Sequence, residues 1–144
     1  MYGAASAFRK GKSADMSTEP TDSMLTILIV EDESMIGMLL EDLLQEFACK
    51  VVGPANSVAQ SIALIEAGGR ALDGAFLDIN LRGEFVYPVA DALLALNVPF
   101  MFITGNATHG IDPRYGAVRT LKKPFMASAI ERAVKHFAEH RASI

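Results

Sequence analysis

Apolar positions along this chain come in compact blocks. Leu25 to Val30 is an apolar run that stops at Glu31-Asp32-Glu33. A short apolar run closed by polar residues predicts a strand covered on both faces. Ile36, Leu39, Leu40, Leu43, Leu44 and Phe47 then recur at helical spacing, with Ser34 as the expected N-cap. Lys50 to Gly53 predicts a second strand, ended by Pro54. Ser57-Val58-Ala59-Gln60 has the capping-box pattern. It opens a helix whose stripe is Val58, Ile62 and Ile65 and whose stop is Gly68-Gly69.

Ala75 to Ile79 predicts the third strand, with Asp78 placed where the run is about to end. A loop is expected from Asn80 to Tyr87. Pro88 then suits the first turn of a helix that turns Val89, Ala92, Leu93 and Leu96 inward. Pro99 to Ile103 predicts the fourth strand, with Thr104 at its end. Gly105 to Gly116 carries three glycines and Pro113 with little period, so a helix there would be short or mobile. Val118 to Leu121 predicts a fifth strand. Met126 onward predicts a last helix, with Ile130, Ala133, Val134 and Phe137 inward. Strands alternating with helices predict an α/β parallel sheet with right-handed crossovers. Residues 1–23 are small, polar and charged without apolar period, and read as a disordered tail ahead of one domain over residues 24–144.

Composition narrows the function. A net charge of -4 argues against a nucleic-acid partner, whose binding face would be basic. Cys49 is the single cysteine, which excludes an intrachain disulfide and fits a reducing, cytoplasmic setting. No apolar run approaches the ~18 residues of a membrane span. Gly11-Lys12-Ser13 lacks both the earlier glycine and the strand of a phosphate loop. His136-Phe137-Ala138-Glu139-His140 matches a zinc-protease pattern, yet it lies on a terminal helix with no third ligand after it. Glu33 reads as solvated or as a helix-dipole partner. The methionines, Met35, Met38, Met101 and Met126 among them, read as core filling.

In an open parallel sheet the ligand crevice lies outside the carboxyl ends of the strands. Glu31-Asp32, Asp78, Thr104 and Lys123 all fall at such ends. Strands one and three are expected neighbours, so Glu31, Asp32 and Asp78 should crowd together. Two like charges 4 Å apart repel by about 4 kcal/mol at an effective dielectric of 20, so the cluster calls for a cation or a proton. Hard oxygen ligands with room for water suit Mg²⁺. A lysine and a hydroxyl facing the same carboxylate suit a phosphoryl group. An aspartate there can act as a nucleophile toward phosphorus.

Glu31-Asp32, Asp78-Ile79-Asn80, Thr104 and Lys123-Pro124-Phe125, in this order, resemble the receiver domain of two-component response regulators over residues 24 to about 142. The resemblance implies a flavodoxin-like, doubly wound sheet of five strands in the order 2-1-3-4-5. It implies that Asp78 accepts phosphoryl from a sensor histidine kinase or a phosphotransfer protein. Asp32, Asp78 and the Asn80 carbonyl would bind Mg²⁺ directly, and Glu31 would hold a metal-bound water. Lys123 would pair with the phosphoryl group and Thr104 would move to hydrogen-bond it. The Lys123–Pro124 bond would be cis. Asn80 and Asn106, expected close to the phosphoryl group, would tune its hydrolysis.

Phe102-Ile103-Thr104-Gly105, Gly83-Glu84 and Pro88-Val89-Ala90-Asp91 further resemble the stand-alone receivers of the FAT GUG type. These lack the usual switch aromatic and have an altered fourth helix. Here that aromatic position is Thr120, three before Lys123. Activation is therefore expected to order the Gly105–Gly116 segment instead. No effector domain follows the last helix in the sequence, so output is expected through a downstream protein partner or through phosphoryl flow. An aspartate-nucleophile phosphatase is the enzymatic alternative, but Asn80 stands where its general acid should be. A phosphate-independent scaffold is the other alternative.

Overall fold

A strand of five apolar residues has no polar face, so it is stable only when helices cover both sides. The computed structural model describes residues 24–105 and 111–143, and it solves that problem in the usual layered way. The elements run β1 Thr26–Val30, α1 Ser34–Glu46, β2 Lys50–Ala55, α2 Val58–Gly68 and a 3₁₀ turn at Gly69–Ala71. They continue with β3 Gly74–Asp78, β4 Asn80–Leu81, β5 Glu84–Phe85, α3 Tyr87–Ala95 and β6 Phe100–Thr104. A 3₁₀ turn at Pro113–Tyr115, β7 Thr120–Lys122 and α4 Ala127–Ala142 complete the chain.

The main sheet has the order β2-β1-β3-β6-β7, with every pair parallel. Counted over these five strands, this is the 2-1-3-4-5 order of the flavodoxin-like fold. Alternation along β1 sends Leu28 and Val30 to the α2–α3 side, and Ile27 and Ile29 to the α1–α4 side. The first layer buries Leu77, Val89, Leu93 and Phe102; the second buries Leu40, Phe76, Ile130 and Phe137. Gly74 opens β3 directly under the Phe137 ring, and a Cβ there would lie 2.5 Å from ring atoms. That close approach is what lets α4 settle on the strand carrying Asp78.

Several boundaries differ from the sequence reading. Glu33, not Ser34, holds the N-cap position of α1, and its side chain makes no capping bond. Ser57 does cap α2, accepting from the Gln60 N–H at 3.1 Å. The β2 strand runs through Pro54 to Ala55, and its register against β1 shifts between Leu28 and Val30. The backbone irregularity keeps the strand paired where the missing proline N–H would otherwise end it. Both Gly53–Pro54 and Lys123–Pro124 are cis. The expected loop after Asp78 contains a hairpin, β4 against β5, closed through Arg82 and Gly83 with φ of 54° and 87°. Two consecutive positive φ values define the tight turn that suits a hairpin, and Gly83 carries the larger one without a Cβ. The last strand starts two residues later than expected, at Thr120. Met35, Met38 and Met126 are exposed, leaving Met101 as the buried member of the four. The tail at 1–23 lies outside the described residues.

Candidate functional site

Four strand ends supply the site, and their register explains why the side chains meet. Val30 pairs with Leu77, Asp78 with Ile103, and Thr104 with Lys122. Residues one step beyond these partners therefore emerge together at the carboxyl edge of the sheet. Glu31 is fixed there by its own N–H, which donates to the Ala55 carbonyl at 2.8 Å. Lys123 is fixed by its N–H, which donates to the Thr104 carbonyl at 2.8 Å.

The Lys123 ammonium sits among three carboxylates. Its Nζ lies 2.8 Å from Glu33 Oε1, 3.1 Å from Glu31 Oε1 and 3.4 Å from Asp78 Oδ2. Glu31, Asp78 and Thr104 are buried, with exposures of 2%, 7% and 8%. Burial alone would lower the lysine's pKa, but the three carboxylates outweigh it and hold it above the ordinary value. Asp78 goes the other way from a normal carboxylate. Burial, a hydrogen bond to Glu31 and the Glu31 charge push its pKa up to about 7, against the opposing pull of Lys123. One ammonium thus faces an excess of negative charge.

The donor set fits a hard divalent cation. Glu31, Glu33 and Asp78 each offer an oxygen within 4.8 Å of the others. Glu31 Oε1 is buried and has no hydrogen-bond partner, although the lysine ammonium is close. A buried carboxylate oxygen left in that state is costly, and a cation or its water would satisfy it.

The sequence-derived residues divide. Glu31, Asp78 and Lys123 converge. Asp32 is half-buried at the same edge, but its Oδ2 accepts the Arg82 N–H at 3.1 Å and it stands apart from the three-carboxylate cluster. Asn80 is exposed, and its Oδ1 accepts the Gly83 N–H at 2.7 Å inside the hairpin turn. Thr104 closes β6 beside Lys123. Thr120 is exposed at the start of β7. Asn106 lies outside the described residues, as does the middle of the Gly105–Gly116 segment.

Two residues escaped sequence reasoning. Glu33 makes the shortest contact to Lys123, where a solvated or dipole-facing carboxylate was expected. The pairing spans 90 positions, so nothing local could announce it. Tyr115 is buried and stacks on Tyr87, with ring centroids 4.9 Å apart. Its hydroxyl donates to Asp91 Oδ1 and accepts from Arg114 Nη2 at 2.9 Å. The Asp112 N–H donates to the Tyr87 hydroxyl at 2.8 Å. The turn leading to β7 is thereby clamped onto α3 without an aromatic residue at 120.

No protein-family model matches the sequence, and no curated protein matches it either. Solved structures do. The solution structure of SdrG from Sphingomonas melonis Fr1 is 41% identical, over 80% of this chain and 97% of that one, with a TM-score of 0.71. The BeF3-activated conformation of SdrG from Pseudomonas melonis Fr1 is 41% identical over 78% and 95% of the two chains, with a TM-score of 0.67. The receiver domain of the PhyR response regulator from Erythrobacter litoralis is 25% identical over 79% and 89%, with a TM-score of 0.66. Fold, strand order and these relatives agree: the chain belongs to the response regulator receiver family.

Proposed function

We propose that this response regulator is switched by phosphorylation of Asp78. The observation that carries the reading is the placement of the Lys123 ammonium 3.4 Å from Asp78 Oδ2 at an edge crowded with carboxylates. An Asp78 oxygen attacks the phosphorus of a phosphohistidine on a sensor kinase or phosphotransfer protein. The new O–P bond forms as the N–P bond breaks, and the donor imidazole leaves with a proton from solvent. Asp78 must be ionised to attack, and Lys123 favours that form. Bound Mg²⁺ would supply charge neutralisation for the incoming phosphoryl oxygens. Asp32, Asp78 and the Asn80 carbonyl would hold it directly and Glu31 through water, with Asp32 turning from the Arg82 N–H to do so; Glu33, engaged by Lys123, stays outside that set. Lys123 then pairs with the phosphoryl group, and Thr104 turns to hydrogen-bond it. Asn80 and Asn106 tune hydrolysis. The phosphorylated form signals by binding a downstream protein or by passing phosphoryl on, as shuttle or sink. It acts in the cytoplasm, free of membrane and nucleic acid, and does not turn over a separate substrate. Among the described residues, no helix is long and apolar enough to cross a membrane. The BeF3-activated form reported for SdrG supports the reading, because beryllofluoride imitates a phosphoryl group on a carboxylate.

The test is intact-mass analysis after incubation with acetyl phosphate, with and without Mg²⁺, on wild type and Asp78→Asn. A Mg²⁺-dependent adduct in wild type that is absent from the variant is expected. An adduct that persists in the variant, or none in the folded wild type, overturns the assignment.

A further inference from the structure

Glu33 occupies the N-cap position of α1, where a side chain ordinarily caps the first turn. Here it caps nothing. Its carboxylate reaches Lys123 Nζ at 2.8 Å, the shortest of the three contacts to that ammonium. Its backbone is held on both sides: the N–H donates to Glu31 Oε2 at 3.1 Å, and the carbonyl accepts the Gly37 N–H at 2.9 Å. The side chain, by contrast, is 62% exposed, whereas those of Glu31 and Asp78 are 0% and 10% exposed. Among the described carboxylate partners of Lys123, Glu33 is therefore the one that can leave into water without a burial penalty.

Lysine has three N–H donors. It has no donor left for three phosphoryl oxygens while all three carboxylates stay engaged. Phosphorylation replaces the single negative charge of the Asp78 carboxylate with about two on the acyl phosphate, so the edge gains about one negative charge and one existing partner must withdraw. We infer that Glu33 is a positioning residue that holds Lys123 in the resting state and releases it when Asp78 is modified, which sets how readily the lysine transfers. This rests on the reading of Asp78 as phosphoacceptor.

The test uses the whole chain and beryllofluoride, titrated at saturating Mg²⁺ and followed by amide chemical shifts. Glu33→Gln, nearly isosteric, is expected to tighten beryllofluoride binding about two- to five-fold, the scale of an ion pair with one exposed partner. Its melting temperature should be unchanged. If Glu33 acts through Lys123, the gain disappears in a Lys123→Gln background, which a double-mutant cycle reads directly. An equal gain in that background means simple charge repulsion and overturns the inference. Weaker binding together with a ten-fold loss of Mg²⁺ affinity makes Glu33 a metal ligand and also overturns it. The Lys123 ammonium resonance of the single variant, recorded without beryllofluoride, keeps the test independent of the Lys123 variant and of phosphorylation. A shift on Glu33→Gln is expected, and an unchanged resonance sinks the idea. Failure of wild type to take up beryllofluoride while that resonance still shifts would fault the phosphoacceptor reading and leave the resting contact standing.

Discussion

One strand carries an aspartate at each end, and the two live in opposite circumstances. Asp73 immediately precedes β3. Its Oδ2 accepts the Thr26 N–H at 2.9 Å and lies 3.5 Å from the Arg141 guanidinium. Asp78 ends β3. It shares a single lysine with two other carboxylates, and its pKa is pushed up to about 7, first by burial and then by Glu31. The side chains are similarly sheltered, at 17% and 10% exposure. Burial therefore does not distinguish them; the supply of partners does. At the amino end, donors match the carboxylate and the result is a structural latch between β1, β3 and α4. At the carboxyl end, carboxylates outnumber the cation, and the site is left wanting positive charge.

The comparison is broken most directly by exchanging the chemistry of the two ends. Acetyl phosphate with Mg²⁺ should label Asp73→Ala to at least half the wild-type extent and Asp78→Asn not at all, as read by intact mass. Labelling lost equally in both variants would mean that the two aspartates differ less than their surroundings suggest.

Stability should respond with opposite sign, and pH sharpens it. The folded-state pKa of Asp78 lies above the ordinary carboxylate value, so the native chain holds a proton that the unfolded chain has released. Stability contributed by the neutral carboxyl is fully present below pH ~4 and is lost as pH rises toward about 7. In Mg²⁺-free buffer, Asp78→Asn should exceed wild type by on the order of 1–4 kcal/mol at pH 8 and match it near pH 4. Denaturant midpoints across that range check it. Asp73→Ala should instead be destabilised by about 1–3 kcal/mol at neutral pH, because the Thr26 N–H loses its acceptor.

The smallest effect concerns a third aspartate, more exposed than Asp73 but likewise matched with donors. Asp91 accepts the Tyr115 hydroxyl. Burial, then that bond and the Asp91 charge, raise the phenol pKa to about 12. Tyr115→Phe should cost about 1 kcal/mol in thermal unfolding and leave Asp78 labelling intact. Loss of labelling would show that the clamp on α3 reaches the site after all.

Local pattern was enough for the architecture. Apolar-rich strands of five residues at β1, β3 and β6, separated by helical stripes, leave little but a parallel sheet covered on both faces, and the polar residues that end them must then share one edge. Glu31, Asp78, Thr104 and Lys123 were legible for that reason. Hairpin β4–β5 was hidden, because two strands of two residues have no periodicity to read and depend on the backbone conformation at Arg82 and Gly83. The continuation of β2 past Pro54 depends on a bulge that only the neighbouring strand can support. Partner choice was decided by tertiary structure alone. That Glu33 rather than Asp32 reaches Lys123, that Asp32 turns to the Arg82 N–H, and that Tyr115 closes over Tyr87 are outcomes of distances across 90, 50 and 28 positions. Propensity and period are properties of neighbours along the chain, whereas a carboxylate's partner is whichever donor packing brings within about 3.5 Å.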